Sequence, residues 1–431
     1  MRPARSVAAA LILLASCTSG DDGPAPGEPV TISVWVAGDP DETQAFIDVA
    51  DAFEASQREI DVDLLQIAER EDLIARLSTS FAGGEPPDLF LMNYRYLGQF
   101  ESKGVLAPLE PYLASSSDLG AEDFYPEAMT AFKSDGAQTC MPQNVASLVT
   151  YYNRDMFERA GVKLPAEDWT WNEMVAAATE LTRDIDGDGT VDVYGLGVDP
   201  EIIRVAPFIW SAGGEIVDDP DRPTRFTIGS LKAIRPLQAF LDLRGVAGVT
   251  PTDEEAEAAD FETRFLDGTL AMIMESRKVV PSFRTITDFR WDVAPLPVHR
   301  QAATILHSDA YCMTASSERK DEAWTFLEFA LGPGGQRIAT ATGRTVPSLR
   351  SAAESDAFLD SGLPKSSHVF LDAIGSMRAV PHIETWPEIE DVVNALIEEA
   401  YYEPSGRGEA GELVLAILDQ TRPLFDRANA G

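Results

Sequence analysis

The sequence predicts an α/β protein built as two lobes. Its 431 residues run to two or three times a typical domain length. Strand and helix patterns alternate from Val30 to Met92, and the alternation restarts after Tyr151-Tyr152. An apolar content of 45% supplies real cores, and 9% aromatic residues exclude a wholly disordered acidic chain.

The body opens with Val30-Thr-Ile-Ser-Val-Trp-Val36, an alternating β-branched strand, and the turn Gly38-Asp39-Pro40. Phe46, Val49, Ala50 and Phe53 recur at helical spacing from about Glu42 to Ser56, and Asp61 to Ile67 reads as a second strand. A helix on Leu73, Leu77 and Phe81, the breaker Gly83-Gly84-Glu-Pro-Pro87 and the apolar strand Asp88 to Met92 continue the order. Such alternation implies a mostly parallel sheet with helices on both faces, and ligands on these sheets sit at the carboxyl ends of the strands. In the second lobe Thr170-Trp-Asn-Glu173 has the spacing of a capping box. Later strands are Leu270 to Met274 and Trp291 to Ala294, and helices run from about Glu318 to Leu331 and Asp391 to Glu403. The acidic run Asp253 to Asp260 reads as a solvated helix start.

The amino terminus carries Arg2 and Arg5, then an apolar run from Val7 to Ala15 that is too short to span a bilayer and reads as an export signal, residues 1–16. Leu14-Ala15-Ser16-Cys17 resembles the lipobox of bacterial lipoproteins, which makes Cys17 the lipidated (palmitate-bearing) residue. Residues 17–29 are then the anchor and a flexible tether. Only Cys140 and Cys312 remain, and an exported pair leaves a disulfide and two separate buried thiols equally open.

Lys and Arg total 34 against 71 Asp and Glu, a formal charge of −37. A duplex binder needs a dense cationic face, so nucleic acid is excluded as a partner. The four histidines, His299, His307, His368 and His382, form no HExxH or zinc spacing, and no GxSxG elbow, Walker loop or GxGxxG turn occurs. Paired carboxylates of a glycosidase stay open, because 71 acids give many accidental pairs. Asp184, Asp186, Asp188 and Asp192, with Gly189 at relative position six, have the order of a calcium loop. Position twelve is Gly195 where an EF-hand has Glu, so an acidic Gly-rich turn is the competing reading.

Several segments together are similar to the extracellular solute-binding proteins of ABC importers, in the sugar-binding group that includes maltose-binding protein. They are Ser33 to Gly38, Pro87 to Met92, Cys140-Met-Pro-Gln-Asn-Val-Ala-Ser-Leu-Val-Thr-Tyr-Tyr-Asn-Arg-Asp-Met-Phe157, Trp210 to Glu215, Gly268 to Met272, Ala294 to Pro297 and Ala323 to Phe329. The resemblance spans most of residues 30–425 and rests on their order and spacing. It implies the type II periplasmic-binding fold, with discontinuous lobes joined by a hinge: 30–141 plus 312–364, and 142–311 plus 365–431 with the C-terminal helices. It also implies that the strands near Cys140-Met-Pro142 and Tyr311-Cys-Met313 run side by side, which would bring Cys140 and Cys312 into bonding range.

The implied function is capture without chemistry, not an enzyme: a carbohydrate, of oligosaccharide length, bound between the lobes and delivered to a separate permease and ATPase. The implied protein is a monomer, exported and lipid-anchored to the outer face of the cytoplasmic membrane, and needs no cofactor beyond the calcium in question. A sugar site combines planar hydrogen-bonding groups with aromatic platforms. The loops at strand ends offer Trp35, Asp39, Asn93, Tyr94 and Arg95 from the first lobe, and Gln143, Asn144 and Ser147 at the crossing. Beyond it come Trp210 with Gly213 and Gly214, Glu275 and Arg277, Asp309 and Tyr311 on the return, Arg344, His382 and Trp386. Several aromatics among them suggest more than one subsite. A polyamine or peptide receptor, and a glycoside-processing lipoprotein, are the competing functions.

Overall fold

The computed structural model describes residues 28–134, 136–359, 362–403 and 409–430; the export signal, Cys17 and nearly all of the tether lie outside them. The strand Val30–Ala37 pairs in parallel with Ile60–Ile67 along its whole length and with Leu89–Asn93 on its other side. Ile32, Val34 and Val36 are fully buried on one face, as the alternation requires, and Trp35 is half-buried on the other. Helices Pro40–Ser56 and Lys320–Leu331 cover the first face through Phe46, Val49, Phe53, Phe326 and Leu327. Helix Arg70–Gly83 covers the second with Leu73 and Leu77.

The sheet is completed by the return strand Asp309–Met313, antiparallel to Leu89–Asn93, and by Cys140–Pro142 beyond it. Both strands belong wholly to this sheet, so the expected lobe boundaries at 141/142 and 311/312 fall inside strands. The chain leaves the sheet after Pro142 and re-enters it before Asp309. Cys312 stands opposite Cys140 in register, and their sulfur atoms are bonded.

The second sheet corrects the expectation of parallel pairing there. Its central strand Val149–Asn153 is antiparallel to both Met272–Glu275 and Trp291–Ala294. Among the described residues parallel pairing here is confined to bridges such as Gly197 to Ile273 and to the short pair Thr304–Ile305 with Met377–Arg378. Around this sheet pack the capped helix Trp171–Leu181 and three further helices, Ile202–Ser211, Leu231–Gly245 and Trp386–Tyr401. Thr170 caps the first as its spacing predicts, with Oγ accepting from the Glu173 N–H at 3.2 Å while the Glu173 carboxylate accepts from the Thr170 N–H at 2.7 Å. Helix Ala410–Ala428 packs on Trp386–Tyr401.

Candidate functional site

A cleft of about 660 Å³ opens at the carboxyl ends of the two parallel strands Val30–Ala37 and Ile60–Ile67. Asp39, Glu42, Arg70 and Arg344 line it. Arg344 closes one side: Nη1 pairs with Asp39 at 2.6 Å and Nη2 with Glu42 at 3.2 Å. The same Nη1 donates to the Lys278 carbonyl at 3.2 Å, just past the strand Met272–Glu275 of the second sheet. One guanidinium therefore bridges the two sheets' loops.

Asp309 organises the floor. Its carboxylate pairs with Arg70 and accepts from the side-chain amides of Asn93 and Asn144, each at 3.2 Å. Its own N–H donates to Asn144 Oδ1 at 3.1 Å. Burial pushes this carboxyl up, but Arg70 and the two amides outweigh it and hold the group below its ordinary range. Gln143 joins through its side chain, whose Oε1 accepts from Asn144 at 2.9 Å. Arg95 pairs with Glu390 of helix Trp386–Tyr401 and donates from Nε to Asn93 at 3.2 Å.

On the second sheet Glu275 is buried against Arg204, at 2.7 Å, with Lys278 at 3.4 Å. Burial raises its pKa, yet those two cations and the hydrogen bonds from Arg204 and the Ser276 N–H bring it down to about 2. Arg204 also reaches Asp199 at 3.3 Å, while burial pushes the carboxyls of Asp199, Glu201 and Glu42 up.

The structure thus brings together Asp39, Asn93, Arg95, Gln143, Asn144, Glu275, Asp309 and Arg344 of the expected set. The aromatic platforms do not join them. Tyr311 lies two residues deeper than Asp309 along its strand, packed edge-on against Phe46 and Phe326. Tyr94 is fully buried, and its hydroxyl accepts from the Val380 N–H. Trp210 is buried in the helix Ile202–Ser211 with Arg378 over its ring at 4.8 Å, and Trp386 is buried against Phe226. Trp35 alone keeps partial exposure, with Arg76 over it at 5.2 Å.

Gly213 and Gly214 serve packing rather than ligand approach. Gly213 takes φ 79° after the helix, and a Cβ on Gly214 would meet the Lys232 carbonyl at 2.8 Å. Arg277 is wholly buried between Phe358 and Phe370, with Nε donating to the Gly343 carbonyl at 2.8 Å. Ser147 is buried with an unpartnered hydroxyl. His382 lies in a loop whose carbonyl occupies the space a Cβ on Gly98 would need.

Asp184, Asp186 and Asp188 meet at an exposed turn, as their spacing suggests. Their carboxylates already accept from the N–H groups of Gly187, Gly189, Asp188 and Thr190, and Asp192 accepts from Ile185. Asp192 is not part of the three-carboxylate group, and the sequence places Gly195 where a closing Glu would stand. The donor set fits an acidic turn better than a calcium cage.

Sequence reasoning missed Glu42, Arg70, Arg204 and Glu390. All four sit on helices and not in strand-end loops, so the loop-based search passed over them.

The family model for bacterial extracellular solute-binding proteins matches residues 38–337. A putative binding protein of Brucella abortus is 25% identical over 84% of this chain and 85% of its own. The diacetylchitobiose-binding protein of Streptomyces coelicolor is 23% identical over 90% of both. Among solved structures, an ABC substrate-binding protein of Listeria monocytogenes in complex with cycloalternan superposes with a TM-score of 0.81, at 25% identity over 93% of this chain and 98% of that one. The sugar-binding protein MalE of Xanthomonas citri also gives 0.81, at 21% identity over the same shares. The latter likeness is one of fold, the two-lobe periplasmic sugar-binding architecture.

Proposed function

Because the chain belongs to the bacterial extracellular solute-binding protein family, a non-enzymatic family, we propose that it is the receptor of an ABC importer for a neutral carbohydrate. The observation that carries this is the Arg344 bridge, which links the strand ends of the first sheet to the Lys278 segment beyond the second. A ligand held in the cleft beside a residue that also reaches the other lobe can favour the closed form, and only such differential affinity shifts a hinge equilibrium.

The chemistry of the cleft and of the polar groups around it favours a polyhydroxylated, uncharged ligand. Arg70, Arg95, Arg204 and Arg344 are each paired with carboxylates, and Asn93, Gln143 and Asn144 supply planar amides. A polyamine needs carboxylates free to receive it, and of the four that line the cleft Asp39 and Glu42 are engaged by Arg344. Oligosaccharide length has support from the relatives, one named for diacetylchitobiose and one solved with cycloalternan. The scarcity of exposed aromatic rings in the described cleft lends it none.

Delivery falls to a permease and an ATPase on other chains, since no described helix is long and apolar enough to cross a membrane. The family is one of exported proteins. Lipid attachment at Cys17 would hold a monomeric receptor near its permease and raise its local concentration.

Thermal unfolding against maltotriose, diacetylchitobiose, mannitol and spermidine tests the reading. A ligand that binds only the native state raises the midpoint through RT ln(1 + [L]/Kd). A shift with a sugar or polyol supports it; a shift with spermidine alone, or sugar cleaved on long incubation, overturns it.

A further inference from the structure

His307 sits on the return crossing, two residues before Asp309. Its backbone is fixed to Ala146 by reciprocal N–H to carbonyl bonds of 2.7 and 2.8 Å. Alternate residues of an extended segment point the same way, so His307 shares a face with Asp309. The ring therefore belongs to the wall that the Asp309 cluster builds.

Charged groups from both lobes act on it: Arg95 and Asp309 from the first side, Arg204 and Glu275 from the second. Each of these has its own partner, in Glu390, Arg70 and the Arg204–Glu275 pair itself. None is bonded to the imidazole. His307 Nε2 is buried and has no hydrogen-bond partner, although the residue as a whole is only half-buried. An orphaned buried nitrogen costs free energy, and such groups persist where a ligand or water completes them.

Burial, with Arg95 and Arg204 beside it, pushes the imidazole down to about 3. The ring is thus neutral throughout the physiological range and offers one donor and one acceptor. A hydroxyl matches both roles. An ammonium or a carboxylate would bring a charge that the neutral ring does not balance and that the surrounding pairs have no spare partner for.

We propose that His307 is a ligand contact at the hinge, where its buried, unpartnered Nε2 hydrogen-bonds a hydroxyl of an uncharged sugar or polyol. The proposal rests on the carbohydrate reading and names a group that anchors the sugar between the lobes. It has a pH consequence. Because the contact carries no charge, titration of His307 itself adds nothing to the pH dependence of sugar affinity between pH 5 and 8.

Calorimetric titration of the full chain with maltotriose, diacetylchitobiose and mannitol tests it, on the wild type, His307→Phe and His307→Gln. The expected result is that one probe binds the wild type, that His307→Phe weakens it at least tenfold, and that His307→Gln, which keeps a donor and an acceptor, stays within about threefold. Unchanged affinity in His307→Phe overturns the proposal and leaves the carbohydrate reading standing. Absence of binding by the wild type to every sugar overturns both. An independent readout needs no variant: in wild-type protein with ¹⁵N-labelled histidine, the His307 Nε2 resonance must move on saturation with the probe. A resonance that does not move overturns the assignment.

Discussion

Cys140 and Cys312 stand opposite one another on neighbouring antiparallel strands, with Cα atoms 4.3 Å apart and their sulfurs bonded. The bond closes a loop with a sequence separation of 172 residues, which holds the whole central sheet of the second lobe. Both cysteines lie within one sheet, so the bond pins that sheet's two chain crossings together and leaves the lobes free to move.

That placement separates stability from binding. The chain-entropy model gives about 5 kcal/mol for so long a loop, an upper figure from which native strain subtracts. The double variant Cys140→Ser/Cys312→Ser should melt roughly 5 °C lower than the oxidised wild type. Its affinity for the sugar should be unchanged. Calorimetry of both proteins checks this, and a tenfold loss of affinity with intact folding would place the bond in the binding site instead.

Arg344 should govern the lobe equilibrium. Its guanidinium is mostly buried and shared between two carboxylates and the Lys278 carbonyl. Only the bond to the Lys278 carbonyl crosses between the lobes, and a charge-assisted hydrogen bond of this kind is worth about 1.5–3 kcal/mol. Arg344→Ala should therefore favour the open form and weaken ligand about tenfold or more. Small-angle scattering of the free protein should show a larger radius of gyration for the variant, which ligand reverses at saturation. An identical scattering curve from both free proteins would mean that Arg344 does not hold the lobes.

The β-α-β opening was legible because strand and helix periods there are clean: Ile32, Val34 and Val36 alternate, and Phe46, Val49 and Phe53 repeat along one helical face. Three of the longer helices were not. Ile202–Ser211, Leu231–Gly245 and Ala410–Ala428 each contain a proline, Pro207, Pro236 and Pro423, and the first is buried on every side, so it shows no polar stripe. The crossing residues of the site, Asn144 and Asp309, were readable from the family pattern. The aromatic platforms were misread because residue type near a strand end does not reveal depth: Asp309 and Tyr311 share a face, but helices cover only the second.

The Asp184–Asp188 turn lies between helix Trp171–Leu181 and the Tyr194–Gly197 segment, and none of its carboxylates lines the cleft. Capture of sugar should be independent of calcium. Titrations in EDTA and in millimolar calcium are expected to give the same Kd. A difference beyond about threefold, roughly 0.7 kcal/mol, would tie the turn to the hinge.

Acid should act on this protein through Glu275. Its folded pKa, about 2, lies below the ordinary glutamate value of 4.5, so the folded state binds its proton less readily than the unfolded chain. Its contribution to stability is thus complete above about pH 4.5 and is lost as pH falls from 4.5 toward 2. Asp309, also depressed, acts in the same direction. Glu42, Asp199 and Glu201, raised by burial, act oppositely: they favour the folded state at low pH and lose that contribution as pH rises through their folded values. Replacing Glu275 with Gln removes the first effect and leaves the Arg204 guanidinium buried with weaker partners. At pH 7 Glu275→Gln should cost about 3 kcal/mol, at the low end for a broken buried pair because Asp199 remains at 3.3 Å. Between pH 4.5 and 3 the wild type should lose stability more steeply than the variant. Urea midpoints across that range measure both slopes. Parallel slopes would show that the Glu275–Arg204 pair does not govern acid unfolding, whatever its place in the cleft.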